Sequence, residues 1–558
     1  MKPSALFTLC FLLIQPFVYA STDDMSEIRY RKSVKILSSD AFEGRKPATE
    51  GGRKTVTYIE QQFRQAGLKP GNKQSYLQAV HLAGLTTTQA EISVTGNKST
   101  ATLQHTHDIL TFARHISPQL SVTESEIVFV GHGVVSPEYN WNDYQGIDVA
   151  GKTVIILAND PGYLSGDKTH FLGRGTTYYA KDSYKYEEAE RQGAAAALII
   201  HDRKLTKSSW DEQVATLNKE RLVLDVTPEE NASVLIQGYL SEALSIRLMS
   251  DAGYNYANER KSAQLQTFQP KSLKYNISLT IETSISRSVS HNVMGLIPGS
   301  ERPDEYIIYM AHWDHLGRDS TLEGDQIYNG ARDNAAGIAS LIELAHLYQS
   351  NRDTKRSVLI MAVTAEESGL LGSYFYTKKP VYPLRNTVGV INLDMMNVYG
   401  ATQDVLVHGL NDSGLMDKAI NTAVTKIQGR TVKPFGRLEA GIAYRNDGFS
   451  FNRAGVPTIG LASGGEHIRH GANWMEAQAN SYFSKRYHQP ADEYTDEMDF
   501  SGALLDTASL YLIGRELANS SEFAHWYNGK EFKHLRDAQL HADNVSRAKQ
   551  AKKTQILR

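Results

Sequence analysis

Three apolar runs constrain this chain most: YIIYMA leads into His312, VLIMAVTA into Glu366 and VGVINL into Asp394. A half-buried strand alternates apolar with polar residues, whereas an unbroken run suits a strand covered on both faces. Stretches between the runs, such as NAAGIASLIELAHLY, repeat apolar residues at helical spacing. Strands alternating with helices predict an α/β fold over residues 281–520, a doubly wound mixed sheet.

Ligands of such a sheet gather beyond the carboxyl ends of its strands. All three runs end there on metal-binding side chains: His312 and Asp314 in AHWDHLG, Glu366 and Glu367 in TAEESGLLGS, Asp394 in NLDMM. Asp333 opens the helix of NGARDNAAGIASL, where an aspartate caps well. Its two oxygens also suit a bridge between cations about 3.5–4 Å apart, with Asn334 adjacent and Gly330 and Gly337 permitting tight backbone. His488, in KRYHQPADEYT, precedes Pro490, which fixes the local backbone. Side chains of the adjacent glutamates diverge beyond a strand, so one binds metal and the other is free to act as general base and then general acid.

Two divalent cations facing Asp333, Glu367 and Asp394 retain one positive charge, which a bridging hydroxide cancels. Zinc suits the mixed nitrogen and oxygen donors, and cobalt or manganese can replace it. Asp314 is expected to accept the second ring N–H of His312 and fix its tautomer. His315 is expected to be a bystander, and His467 and His470 to lie at a pocket rim or on the surface. His132, His170 and His201 have no acid at ligand spacing and read as structural or exposed.

A chain of 558 residues exceeds one compact domain, and its net charge of −3 gives no electrostatic case for nucleic acid or an anionic membrane. Lys2, the apolar run ALFTLCFLLI, and Val18 and Ala20 at small-residue positions predict a signal peptide over residues 1–20, hence export to the periplasm or medium. The run is too short to span a bilayer comfortably, so no stable membrane insertion is expected. Cys10 is the single cysteine, so the mature chain holds no thiol. Residues 21–120 begin with a short helix, a Gly/Pro-rich loop and an amphipathic helix through Tyr58, Ile59 and Phe63. Residues 121–280 read as a separate β-rich module, and residues 521–558 as a polar, finally basic tail with a peripheral helix and a frayed end.

Together AHWDH, ARDNAAG, TAEESGLLGS, NLDMM and RYHQPADEY resemble the M28 family of zinc-dependent exopeptidases. LSSDAFEGRKPATEGGRKTVTYIEQQFRQAGLKPG is similar to the N-terminal part of that catalytic domain. VFVGHGVVSPEYNWNDYQGIDVAGKTVIIL with RQGAAAALIIHD resembles an inserted protease-associated (PA) domain. The resemblance implies two zinc ions: His312 and Asp394 hold one, Glu367 and His488 the other, and Asp333 bridges them. It places Glu366 at the general base and Asp314 at the support of the first histidine. Asn446, Asp447 and Gly448 depart from the Ser-Asp-His common in relatives, and the long segment between Gly460 and Tyr487 is expected to form a lid or pocket wall.

The resemblance implies an aminopeptidase acting on peptide substrates. A carboxypeptidase on the same fold is the alternative and needs cations to grip a carboxylate, for which Arg437, Arg445, Arg453 and Arg469 are candidates. Glutaminyl cyclisation uses one zinc on a related fold, against which the two-metal set argues. A non-catalytic, receptor-like binding protein predicts loss of Glu366 or Asp333, and both are present.

Overall fold

The computed structural model describes residues 24–541 except 97–99, 207, 228, 229, 231, 232 and 437. The signal-peptide reading with Cys10, the candidate Arg437 and the basic end from residue 542 lie outside the described residues.

Helix α1 (Glu27–Leu37) starts at Ser26, whose hydroxyl accepts the Arg29 N–H. Helix α2 (Glu50–Gln65) starts likewise at Thr49, which accepts from Gly52. Such caps satisfy N–H groups that a first helical turn leaves unpaired. The apolar face of α2, Val56, Ile59 and Phe63, is buried in the same core as Val293 and Ile307, which arrive much later in the chain.

The strands that follow are β1 (Leu77–Thr95), β2 (Ile109–Ala113), β3 (Gln119–Phe129) and β4 (Thr153–Leu157). After α3 (Asp182–Arg191) come β5 (Ala196–His201), β6 (Arg221–Leu224), β7 (Ile236–Ser241), β8 (Lys271–Ile297) and β9 (Arg302–His312). Helix α4 (Ala336–Ser350) precedes β10 (Arg356–Val363), β11 (Thr387–Asn392), β12 (Asp404–His408), β13 (Thr431–Pro434) and β14 (Thr458–Ala462), and helices α5 (Gly471–Lys485) and α6 (Ser501–Asn519) close the domain. Among the described residues these strands pair in the order β13-β12-β14-β11-β9-β10-β8-β3-β4-β5-β7-β2, with β1 beside β8. The sheet is mixed: β9 runs parallel to β10 and β11, and β8 antiparallel to β10. Every residue of β10 and β11 is buried, as the unbroken apolar runs require.

Two cores share this sheet. One lies under β9, β10, β11, α4 and α6. The other gathers apolar residues from Ala83 to Ile281, so the expected division at residue 120 falls inside it. The reason is β1, one long strand with no turn to mark where it passes from one unit to the next. It pairs with β8 from Leu77↔Val293 to Thr95↔Asn276, so the chain enters and leaves the second unit along one antiparallel ribbon.

The tail forms the expected helix over residues 533–541, and it docks. Trp526 and Phe532 are buried against Phe449, and the Trp526 indole N–H donates to the Gly455 carbonyl. Arg536 is fully buried and donates to the Ala524 and Thr387 carbonyls. A polar average conceals these three anchors. Among the described residues no helix is long and apolar enough to cross a membrane.

Candidate metal centre

The three runs deliver their side chains to one place. His312 Nε2 lies 3.2 Å from Asp333 Oδ1 and 3.4 Å from Asp394 Oδ1. His488 Nε2 lies 3.3 Å from the other Asp333 oxygen, Oδ2, and 3.1 Å from Glu367 Oε2. Asp333 therefore turns one oxygen to each of two donor clusters. Donors at about 2.1 Å from a tetrahedral zinc lie about 3.4 Å from one another, so both clusters fit the ion. The donor set, imidazoles and carboxylates without thiolate, fits it as well.

Glu366 touches neither cluster's donor atoms at these distances; it is half-buried and lines the cleft beside His312 and Asp394. Burial, with Glu367, Asp447 and Asp394 nearby, pushes its carboxyl well above the usual range, although His312 pulls it down. Burial would raise Asp333 too, but hydrogen bonds from His312 and His488 hold it well below the ordinary carboxylate range. Burial and the Asp333 charge oppose ionisation of Glu367, yet His315 and His488 bring it down to about 2. Two adjacent glutamates thus occupy opposite electrostatic settings, as separate roles require.

Two expectations are corrected. The Asp314 carboxylate does not take the His312 ring N–H: Nδ1 lies 3.1 Å from the Asp314 backbone carbonyl and 3.9 Å from its side chain. Instead the fully buried carboxylate accepts the backbone N–H groups of Glu366 at 3.0 Å and Glu367 at 3.3 Å. A carboxylate accepts only, and two free amides at a strand end supply what its burial demands. His315 is not a bystander either. Its Nδ1 lies 2.7 Å from Glu367 Oε1, and with Asp333 it completes a second potential metal cluster.

Sequence reasoning passed over two further residues. Asp492 does for Asp333 what Asp314 does for the glutamates: it accepts the N–H of Arg332 at 3.2 Å and of Asp333 at 3.1 Å, and the Tyr482 hydroxyl at 3.1 Å. Arg45 is buried and its guanidinium spreads over the carbonyls of Leu37, Trp313, Asn329 and Gly330. It thereby ties the loop after β9 to the loop that carries Asp333. Close approach makes this possible: a Cβ on Gly44 would lie 2.3 Å from the Gly317 carbonyl oxygen. Asp492 stands in the RYHQPADEY motif and was within reach of a search for acids near His488; Arg45 has no sequence signal beyond a Gly-Arg pair in a loop. Truncating Arg45 to Ala leaves several buried carbonyls unpaired and is expected to cost on the order of 3–5 kcal/mol. A fall in the urea midpoint at unchanged m-value measures it.

Asn334 joins the site as expected, its amide donating to the Leu393 carbonyl beside Asp394 and accepting the Gly337 N–H. His132, His170 and His201 lie in the second unit away from the centre. His467 is buried among Trp474 and His470, and its Nδ1 accepts the N–H groups of Arg469 and His470.

At the centre lies a cleft of about 780 Å³, lined by His312, Glu366 and Asp394 and also by Lys181, Asp182 and Ser183 of the second unit. A second cavity of about 400 Å³ opens beside Asp394 and Met395. Its walls are mainly apolar, with Leu406, Phe435, Ile459 and Leu461 from the sheet side and Met475 and Phe483 from α5. The expected pocket-wall role of the segment between Gly460 and Tyr487 is thus α5 itself. Of the candidate arginines, Arg453 pairs with Glu187 at 2.6 Å, Arg445 lines the cleft, and Arg469 lines neither space.

The model of a family described as Peptidase family M28 matches residues 292–508. Over 132 residues the chain is 31% identical to aminopeptidase NAALADL1 of Mus musculus, covering 23% of this chain and 16% of that protein. Over 190 residues it is 27% identical to a probable zinc metalloprotease of Pyrenophora teres f. teres, covering 32% of this chain and 38% of that one. The chain therefore spans well under half the length of these curated relatives. Among solved structures, an aminopeptidase from Aneurinibacillus sp. strain AM-1 aligns over 90% of this chain and 96% of its own at 20% identity, with a TM-score of 0.49.

Proposed function

We propose that the protein, whose residues 292–508 match the model of peptidase family M28, is an exported aminopeptidase whose site holds two zinc ions. The observation that carries this reading is the division of donors by Asp333. His312 and Asp394 would hold one ion and Glu367 and His488 the other, with Asp333 facing both donor sets, and His315 orients Glu367 through its second oxygen. When bound, the ions supply Lewis acidity, polarising the scissile carbonyl and acidifying water.

The chain's residues do the rest. Glu366 takes a proton from the attacking water and passes it to the leaving amine nitrogen. Asp314 and Asp492, through the amides they accept, keep the ligand-bearing loops in place. The apolar cavity beside Met395 takes the side chain of the substrate's N-terminal residue, and its walls favour a large apolar one. Export is supported by Lys2, the apolar run and the small residues Val18 and Ala20, and the second unit by its likeness to a PA domain.

Arg332 favours a second reading, a carboxypeptidase. Its guanidinium borders the apolar cavity, held over the rings of Tyr482 at 4.3 Å and Tyr399 at 5.1 Å, and could meet a substrate carboxylate there. Peptides of one sequence with a free or an acetylated N-terminus separate the two. An aminopeptidase hydrolyses the free form and leaves the acetylated one intact; equal rates would defeat the assignment.

A further inference from the structure

We propose that Lys181 and Arg445 form a carboxylate-binding end of the cleft, which holds the free C-terminus of a short peptide while its N-terminal residue sits at the metal centre. This rests on the aminopeptidase reading. Four observations support it.

The cleft has the volume of a site that encloses a drug-sized ligand, so both termini of a peptide of a few residues lie within it. Its lining carries both signs: beside the acids Glu366 and Asp394 of the centre stand Lys181, from the second unit, and Arg445, close enough for each to feel the other's charge. The other charged groups nearby are engaged. Arg453 pairs with Glu187 at 2.6 Å, and Asp182 accepts the Tyr239 hydroxyl at 2.5 Å. Neither Lys181 nor Arg445 has an ion-pair partner among the described residues.

Lys181 also stands where folding alone disfavours it. Lys181 occupies the N-cap of α3, makes no capping bond, and brings positive charge to the positive end of a helix. Burial lowers the Lys181 ammonium from its usual value, Asp182 beside it acts the other way, and the like charge of Arg445 adds to the lowering. Local rules fail in this way where a site waits for a ligand of opposite charge. A carboxylate from the substrate relieves the repulsion between the two cations and receives charge-assisted hydrogen bonds from both side chains. Selection by peptide length follows, because only a short peptide reaches both ends at once.

The test compares kcat/KM for Leu-Gly, Leu-Gly-amide and Leu-Asp-amide, with leucine p-nitroanilide as a substrate that carries no carboxylate. Wild type is expected to prefer Leu-Gly over its amide by about 10-fold or more, mainly through KM. In Lys181→Ala and Arg445→Ala that ratio falls toward one, while Lys181→Arg and Arg445→Lys, which keep the charge, retain it. Taking the ratio within each variant cancels any general loss of activity. A wild-type ratio near one, or a ratio unchanged in both alanine variants, overturns the proposal. Leu-Asp-amide hydrolysed as well as Leu-Gly overturns the C-terminal assignment, because the cations then read a side-chain carboxylate. Failure of wild type to hydrolyse leucine p-nitroanilide removes the aminopeptidase reading itself, and the inference with it.

Discussion

Glu366→Gln is expected to lower kcat by about 10² to 10⁴ while the protein still binds two zinc ions per chain and KM changes little. The substitution keeps the size of the side chain, and the backbone N–H that Asp314 accepts is untouched. What disappears is the ability to carry a proton from water to the leaving amine. In the metal-free protein burial and three neighbouring carboxylates raise the Glu366 carboxyl, with His312 opposing. Glu367→Gln serves as the contrast: it removes a charged donor facing His488 and His315, and metal content falls together with activity. Steady-state kinetics beside elemental analysis separates the two. Full activity in Glu366→Gln would falsify the assignment of the base.

Asp333→Asn is expected to lose both ions on dialysis and to lower activity by on the order of 10³ or more, because among the described residues Asp333 alone pairs with both His312 and His488. Zinc at 1,000 times its dissociation constant stabilises the wild-type fold by about 4 kcal/mol, and this increment disappears in the variant. The pH dependence has a definite sign. In metal-free protein, burial lowers His488 but Asp333 and Glu367 raise it to about 10. Raised above its unfolded value, it contributes stability that is complete below about pH 6.5 and lost as pH rises through about 10. Zinc requires neutral imidazole, so binding at pH 7 releases protons from wild type and fewer above pH 10. The Asp333→Asn substitution removes one of the two acids that hold the His488 proton and reduces the release. Calorimetric titration in buffers of different ionisation enthalpy reads the number directly; equal heats in all buffers would contradict it.

The central strands were legible because burial on both faces leaves a run that cannot be mistaken for an alternating one, and β10 is buried at every position. His312, Glu367 and Asp394 were legible because each stands just past such a run, whereas Asp333 and His488 stood out only by the motifs around them. What supports them was not. Asp314 and Asp492 act on backbone amides, and Arg45 on backbone carbonyls far along the chain. Every residue offers the same amide and carbonyl, so such partners leave no pattern in residue types. The boundary of the second core was hidden for a related reason. Strand β1 changes unit without changing direction, and residue composition registers turns better than it registers neighbours.

The ribbon of β1 and β8 bears on how such a chain can fold at all. Closing a loop costs conformational entropy that grows with the number of residues enclosed, and the second unit separates Leu77 from Val293 by a large part of the sequence. Those two residues are nonetheless paired neighbours, and so is each pair above them along the ribbon. Once the second unit is formed, its two ends leave side by side and already antiparallel. The catalytic unit then has to close only the base of a hairpin, at a cost set by the ribbon and independent of how many residues lie beyond its far end.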